Sequence, residues 1–140
     1  MQTFKTSSAT ETKAVGEKLG RVLKGGDIVA FKGGLGVGKT TITHGIAKGV
    51  GVKDLVSSPT FAIVNVYRGS PNICHFDMYR ISGGPDLEST GFYDYLTEDN
   101  IILIEWSENV ADELGSVITV EIKRLGENER EIIIEGVEIL

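Results

Sequence analysis

Apolar positions recur at helical spacing in Val15, Leu19, Val22 and Leu23, and Ser8 stands three residues before Glu11. A Ser at the cap with Glu three places on satisfies backbone amides that a helix start leaves unpaired. The pattern predicts a helix from about Ala9, stopped by Gly25-Gly26. Lys13, Lys18, Arg21 and Lys24 with Glu11 and Glu17 fill its other side and read as a solvated face. Residues 3–6 read as a short first strand, and the apolar, β-prone run Asp27 to Lys32 as another. Thr41 to Lys48 reads as a helix punctuated by Gly49 and Gly51. Residues 61–67 and 73–79 read as strands around a Pro71-Asn72 turn. A helix is expected over 85–98, with Leu87, Phe92, Tyr95 and Leu96 as its buried contacts. Residues 101–105 are one continuous apolar run ending in an acid, the mark of a central strand covered on both faces. Residues 117–123 and 131–135 alternate apolar with charged, as a paired edge hairpin around Gly126-Glu127-Asn128 would. The order of elements predicts an α/β fold: a three-layer P-loop NTPase-like domain with a mixed, mostly parallel central sheet and a C-terminal hairpin.

Composition narrows the setting. At 140 residues the chain is expected to form a single domain, 1–140, with a real core. No stretch approaches the roughly 20 apolar residues of a membrane span, and the first residues lack a signal-peptide core. The one cysteine, Cys74, has no internal disulfide partner, and its apolar run predicts a buried, inert thiol. The expected location is therefore cytoplasmic. A net charge of −6 argues against a domain that grips nucleic acid alone, because phosphate contacts need a basic surface.

The candidate chemistry begins at Gly33-Gly34-Leu35-Gly36-Val37-Gly38-Lys39-Thr40, which fits G-x-x-x-x-G-K-[ST] between a predicted strand and a predicted helix. Glycines let the backbone wrap a polyphosphate with its N–H groups pointing inward. The following helix N-terminus adds partial positive charge. Lys39 can reach the outer phosphates, and the Thr40 hydroxyl can ligate magnesium. Backbone amides of 36–41, with Gly33, Gly36, Val37, Gly38 and Thr41 among the cradle residues, would hold the phosphates. Such a site also needs a carboxylate at the end of a buried strand. Glu105 ends the strongest apolar run, and Asp77 ends a weaker one. Thr60, in Ser58-Pro59-Thr60-Phe61, is a candidate to close over the γ-phosphate, although an ordinary Ser-Pro turn leading into a strand is the preferred reading of the segment alone. By strand alternation His75 shares a face with Asp77, and a histidine hydrogen-bonded within the sheet is the preferred reading over a base. Trp106 is either core packing or a cover over the site. Arg80, Arg124 and Arg130 are either phosphate contacts or salt-bridge partners. With no [NT]-K-x-D motif to favour guanine, ATP is the default nucleotide.

Taken together, these blocks resemble the TsaE (YjeE) family, bacterial P-loop ATPases of tRNA threonylcarbamoyladenosine biosynthesis. The shared blocks are Gly33 to Thr41, Ser58-Pro59-Thr60-Phe61, His75-Phe76-Asp77-Met78-Tyr79-Arg80, Pro85 to Tyr95, and Glu105-Trp106. Gly34 stands where the family usually has an acid, Val37 where it has Ala, and Leu87 falls one place early. The resemblance implies an accessory ATPase that binds the TsaB–TsaD pair, meets tRNA only through that complex, and hydrolyses ATP to allow repeated turnover. It implies that Thr40 and Glu105 hold Mg2+, that Asp77 matters for activity, and that Ser8, Ala9 and Thr10 lie near the adenine. Lys39, Asp77, Glu105 and Thr60 are the expected catalytic group, with Trp106 and Arg130 as further nucleotide contacts. Since no arginine finger is evident, hydrolysis is expected to be slow alone and faster with partners. Two other readings stay open: a small-molecule kinase, for which the chain leaves little acceptor pocket or lid, and a non-catalytic scaffold that ATP stiffens.

Overall fold

The computed structural model describes residues 1–32, 38–52, 54–56, 64–78, 84–89, 91–105 and 114–139. Its elements run β1 (Gln2–Thr6), α1 (Ala9–Val22), β2 (Ile28–Lys32), α2 (Lys39–Val50), β3 (Asp54–Val56), β4 (Val64–Arg68), β5 (Asn72–Asp77), α3 (Gly84–Ser89), a 3₁₀ turn (Phe92–Tyr95), β6 (Asn100–Glu105), β7 (Ile118–Arg124) and β8 (Arg130–Glu135). The strands form one eight-stranded sheet in the order β1-β8-β7-β2-β6-β5-β4-β3. β7, β2, β6 and β5 pair in parallel, and the flanking pairings are antiparallel. Only β8 and β4 therefore run against the rest, so the sheet is mixed and mostly parallel.

Alternation decides what each face buries. Val29 and Phe31 of β2, Ile101 and Leu103 of β6, and Val120 and Ile122 of β7 point at α1 and α2. The opposite faces of β5 and β6, through Cys74, Phe76, Ile102 and Ile104, pack on Phe92 and Met78. Phe76 meets Phe92 and Tyr95 edge-on at centroid distances of 5.1 and 5.2 Å. That double cover is why 101–105 reads as an unbroken apolar run. Leu19, Ile42 and Ile46 are fully buried between the helices and the sheet. Each contributes about 1.5–3 kcal/mol relative to exposure.

The two long helices touch through glycine. Gly16 and Gly20 of α1 face Ile42 and Ile46 backbone atoms, and Gly45 and Gly49 of α2 face the carbonyls of Lys13 and Glu17. A Cβ at any of the four would collide with the partner's main chain. The pair is therefore locked backbone to backbone.

Two expectations need correction, and one strand was not expected at all. The helix expected over 85–98 is two short pieces. Gly91 takes φ +78, a left-handed conformation that breaks the run before the 3₁₀ turn. In consequence Phe92 is buried but Leu96 is 40% exposed, and the Leu87 side chain lies outside the described residues. The C-terminal hairpin forms, but not at the edge, because β1 pairs with β8 from Gln2↔Ile134 to Thr6↔Arg130. Its charged alternate positions face solvent because no helix covers that side among the described residues. β3 was not expected; three residues of antiparallel pairing to β4 leave almost no local pattern.

Candidate functional site

Parallel β2, β6 and β5 lie side by side, so their C-terminal ends open at one edge. In open α/β sheets ligands bind at that edge. The glycine-rich segment leaves β2 there and re-enters the described structure at Gly38, whose φ of +112 suits glycine. Gly38 caps α2 through its carbonyl, which accepts from Ile42 N at 3.0 Å, and no side chain caps the helix start. A helix start that no side chain caps is a ready site for an anion. Lys39 opens the helix and is buried, while Thr40 is exposed beside it.

Asp77 and Glu105 are direct register partners at the ends of β5 and β6. Burial raises the Glu105 pKa, the Lys39 ammonium lowers it, and the Asp77 charge raises it again. Lys39 is thus near enough to bias the carboxylate. His75 sits two residues before Asp77 on the same face, opposite Asn65 and Leu103. Its Nε2 is 3.7 Å from Glu105 Oε2. Burial lowers the His75 pKa to about 4 despite the opposing pull of Asp77, so the imidazole is neutral at physiological pH and this contact is not an ion pair. Nor is it the sheet hydrogen bond expected of this residue: His75 Nε2 is buried and has no hydrogen-bond partner. Burial also raises Tyr67, with Glu105 adding to the shift. Cys74, on the opposite face, is pushed up to about 11 by burial, as an inert thiol should be.

A second region joins this edge. A cleft of roughly 100 Å³ is lined by Ser8, Ala9, Thr12, Gly38, Thr41, Asn128 and Arg130. Ser8 caps α1 as expected: its hydroxyl accepts from Glu11 N at 3.1 Å, and Ser7 N donates to the Glu11 carboxylate at 2.6 Å. Thr12 is fixed by a 2.7 Å contact between its hydroxyl and that of Thr6. Arg130 folds over the hairpin turn, donating from Nη1 to the carbonyls of Gly126, Glu127 and Glu129. Arg124 donates from Nε to Gly126 O at 3.1 Å.

The expected residues divide accordingly. Lys39, Asp77 and Glu105 converge at the sheet edge. Ser8, Ala9, Gly38, Thr41 and Arg130 converge in the cleft, and Thr40 stands at the start of α2 between the two. Thr10 does not line the cleft; it is exposed on another side of the first turn of α1, and Thr12 takes the inward position. Asn128 was also missed, since a turn residue carries no signal of what its hairpin will face. Gly33, Gly36, Val37, Thr60, Arg80 and Trp106 lie outside the described residues. Among the described residues no three His, Cys, Asp or Glu side chains form a metal cage. Magnesium does not require one, because it usually takes one or two carboxylates with phosphate oxygens and water.

Fold and motif together define an α/β domain of the P-loop NTPase-like class. A family model described as threonylcarbamoyl adenosine biosynthesis protein TsaE matches residues 6–132. The tRNA threonylcarbamoyladenosine biosynthesis protein TsaE of Treponema pallidum is 35% identical over 126 residues, covering 89% of this chain and 93% of that one. Its counterpart in Bacillus subtilis is 36% identical over 131 residues, 92% of this chain and 82% of the relative. Among solved structures, Bacillus subtilis YdiB superposes with a TM-score of 0.71 at 32% identity, covering 94% of this chain and 82% of that chain. The chain belongs to the TsaE family, and so to tRNA threonylcarbamoyladenosine biosynthesis. No described helix is long and apolar enough to cross a membrane.

Proposed function

We propose that this chain is a magnesium-dependent accessory ATPase, whose ATP binding and hydrolysis support repeated turnover of the TsaB–TsaD pair on tRNA. The observation that carries the reading is the convergence of buried Lys39 with Glu105 and Asp77 at the end of the parallel strands. Lys39 and the first amides of α2 bind the outer phosphates. Ser8, Ala9, Thr12 and Asn128 wall the cleft that receives the nucleoside end.

Glu105 suits a cation: burial and Asp77 both disfavour its charge, and Lys39 only partly offsets them. Thr40 and Glu105 would hold magnesium, which when bound neutralises charge on the β and γ oxygens. Asp77, exposed next to Glu105, or Thr60 would help to orient the attacking water. Arg124 and Arg130 direct guanidinium groups at the carbonyls of their own turn, which fits slow hydrolysis by the isolated chain. An arginine supplied by a partner is worth about 10³–10⁵ in rate. The net charge of −6 fits a division of labour in which the partners hold the tRNA.

The test is multiple-turnover threonylcarbamoylation of tRNA by matched TsaB and TsaD, with wild-type chain and with Lys39→Ala. Turnover that needs the chain and disappears with the substitution supports the reading. Turnover indifferent to both refutes it.

A further inference from the structure

Among the described residues one buried side-chain polar atom lacks a hydrogen bond, and it belongs to the candidate site: His75 Nε2. It points toward Glu105 Oε2 from 3.7 Å, less than 1 Å beyond a good N–H···O bond. The sheet fixes both ends of this gap. His75 stands opposite Leu103 on β6, and Glu105 follows two residues later on the same face. A leucine or phenylalanine in this mostly buried position would fill the space without a stranded donor. Hydrogen bonds at functional sites are often long before ligand binding and tighten in the complex.

We propose that His75 is a positioning residue for Glu105: its Nε2–H closes on Oε2 and holds the carboxylate with its other oxygen presented to the cation. This rests on the proposed metal role of Glu105. Carboxylates that ligate metals are themselves oriented by hydrogen bonds, and removing such a partner typically lowers metal affinity about 10–100-fold. Asn65, opposite His75 on β4, and Tyr67, on the same face, complete the polar surroundings.

The experiment measures the affinity of the full chain for a fluorescent ATP analogue in magnesium and in EDTA, for wild type, His75→Leu, His75→Gln and Glu105→Gln. The expected result is a tenfold or larger loss of the magnesium-dependent gain in His75→Leu, an EDTA affinity within twofold of wild type, and recovery in His75→Gln, whose amide reaches the same place. Equal losses in magnesium and EDTA would make His75 merely structural and overturn the proposal. Loss in Glu105→Gln with none in His75→Leu would overturn it while leaving the metal role of Glu105 intact. No loss in Glu105→Gln would remove that role and the proposal with it. Should His75→Leu fail to fold, nitrogen-edited NMR of wild type decides. The chain has two histidines, so His44→Gln assigns the signals. The His75 Nε2 proton must move downfield and exchange more slowly with magnesium and nucleotide, but not with nucleotide in EDTA. An unmoved signal overturns the proposal.

Discussion

Gly45→Ala is the most informative single change to the scaffold. The added methyl would lie well inside contact distance of the Lys13 carbonyl and 3.0 Å from Glu17 N, all of it main chain of α1. No rotamer change can relieve a clash with backbone. The helices must separate, lifting Ile42 and Ile46 from a core in which both are fully buried. Overpacking of this kind costs about 1–3 kcal/mol, and backbone on the receiving side puts this case at the upper end. Alanine returns about 1 kcal/mol of helix propensity. The net loss is about 2 kcal/mol, or about 6 °C in midpoint for a chain of this size. Calorimetry of the nucleotide-free protein measures it. The same shift widens the cleft between Ala9 and Thr12 on one side and Gly38 and Thr41 on the other, so ATP binding should weaken in parallel. A variant as stable as wild type, or more so, would show that propensity outweighs contact and that the helices are not in main-chain register.

Four other outcomes are expected. The His75 pKa falls from 6.5 unfolded to about 4 folded, so its contribution to stability is present above pH 6.5 and is lost as pH drops toward 4. The span is about 3 kcal/mol, and unfolding curves across that window should show wild type losing about that much relative to His75→Leu as pH falls. Glu105 has the opposite sign: its raised folded pKa means that ionisation weakens the fold as pH rises through that value. Glu105→Gln should therefore melt higher than wild type at neutral pH, lose the advantage below about pH 4.5, and lose ATP turnover throughout. Lys39→Ala should abolish nucleotide binding in a filter or fluorescence assay while the fold, read by circular dichroism, survives. Ser8→Ala removes the α1 cap, costing about 1 kcal/mol, or about 3 °C, by thermal scan.

What the sequence made legible was local. The Ser8–Glu11 cap, the alternation of 131–135 and the doubly buried 101–105 run each depend on neighbours within a few residues, and each forms where expected. Asp77 and Glu105 were legible as strand ends, and parallel pairing of their strands makes them neighbours. The rest is long-range. Thr12 and Asn128 meet only because β1 pairs with β8, and nothing near either residue announces that. The stranded nitrogen of His75 depends on where β6 stops, not on the His75-Phe76-Asp77 string. The contiguous glycine seam depends on two helices meeting at one angle, although its i, i+4 spacing is visible in both once the contact is known.

The pairing of β1 with β8 also sets an order in time. The side-chain amide of Gln2 donates to Ile139 O at 2.9 Å and accepts from Ile139 N at 2.8 Å, so the first strand is fastened to the last described turn. The cleft takes one wall from residues 8–12 and another from 128–130. On the ribosome, the lysine and the glycine loop emerge early, and α1 and α2 can dock at once. The opposite wall does not exist until β8 has left the exit tunnel. A nascent chain is therefore unable to complete the cleft until β8 has been made and has paired with β1.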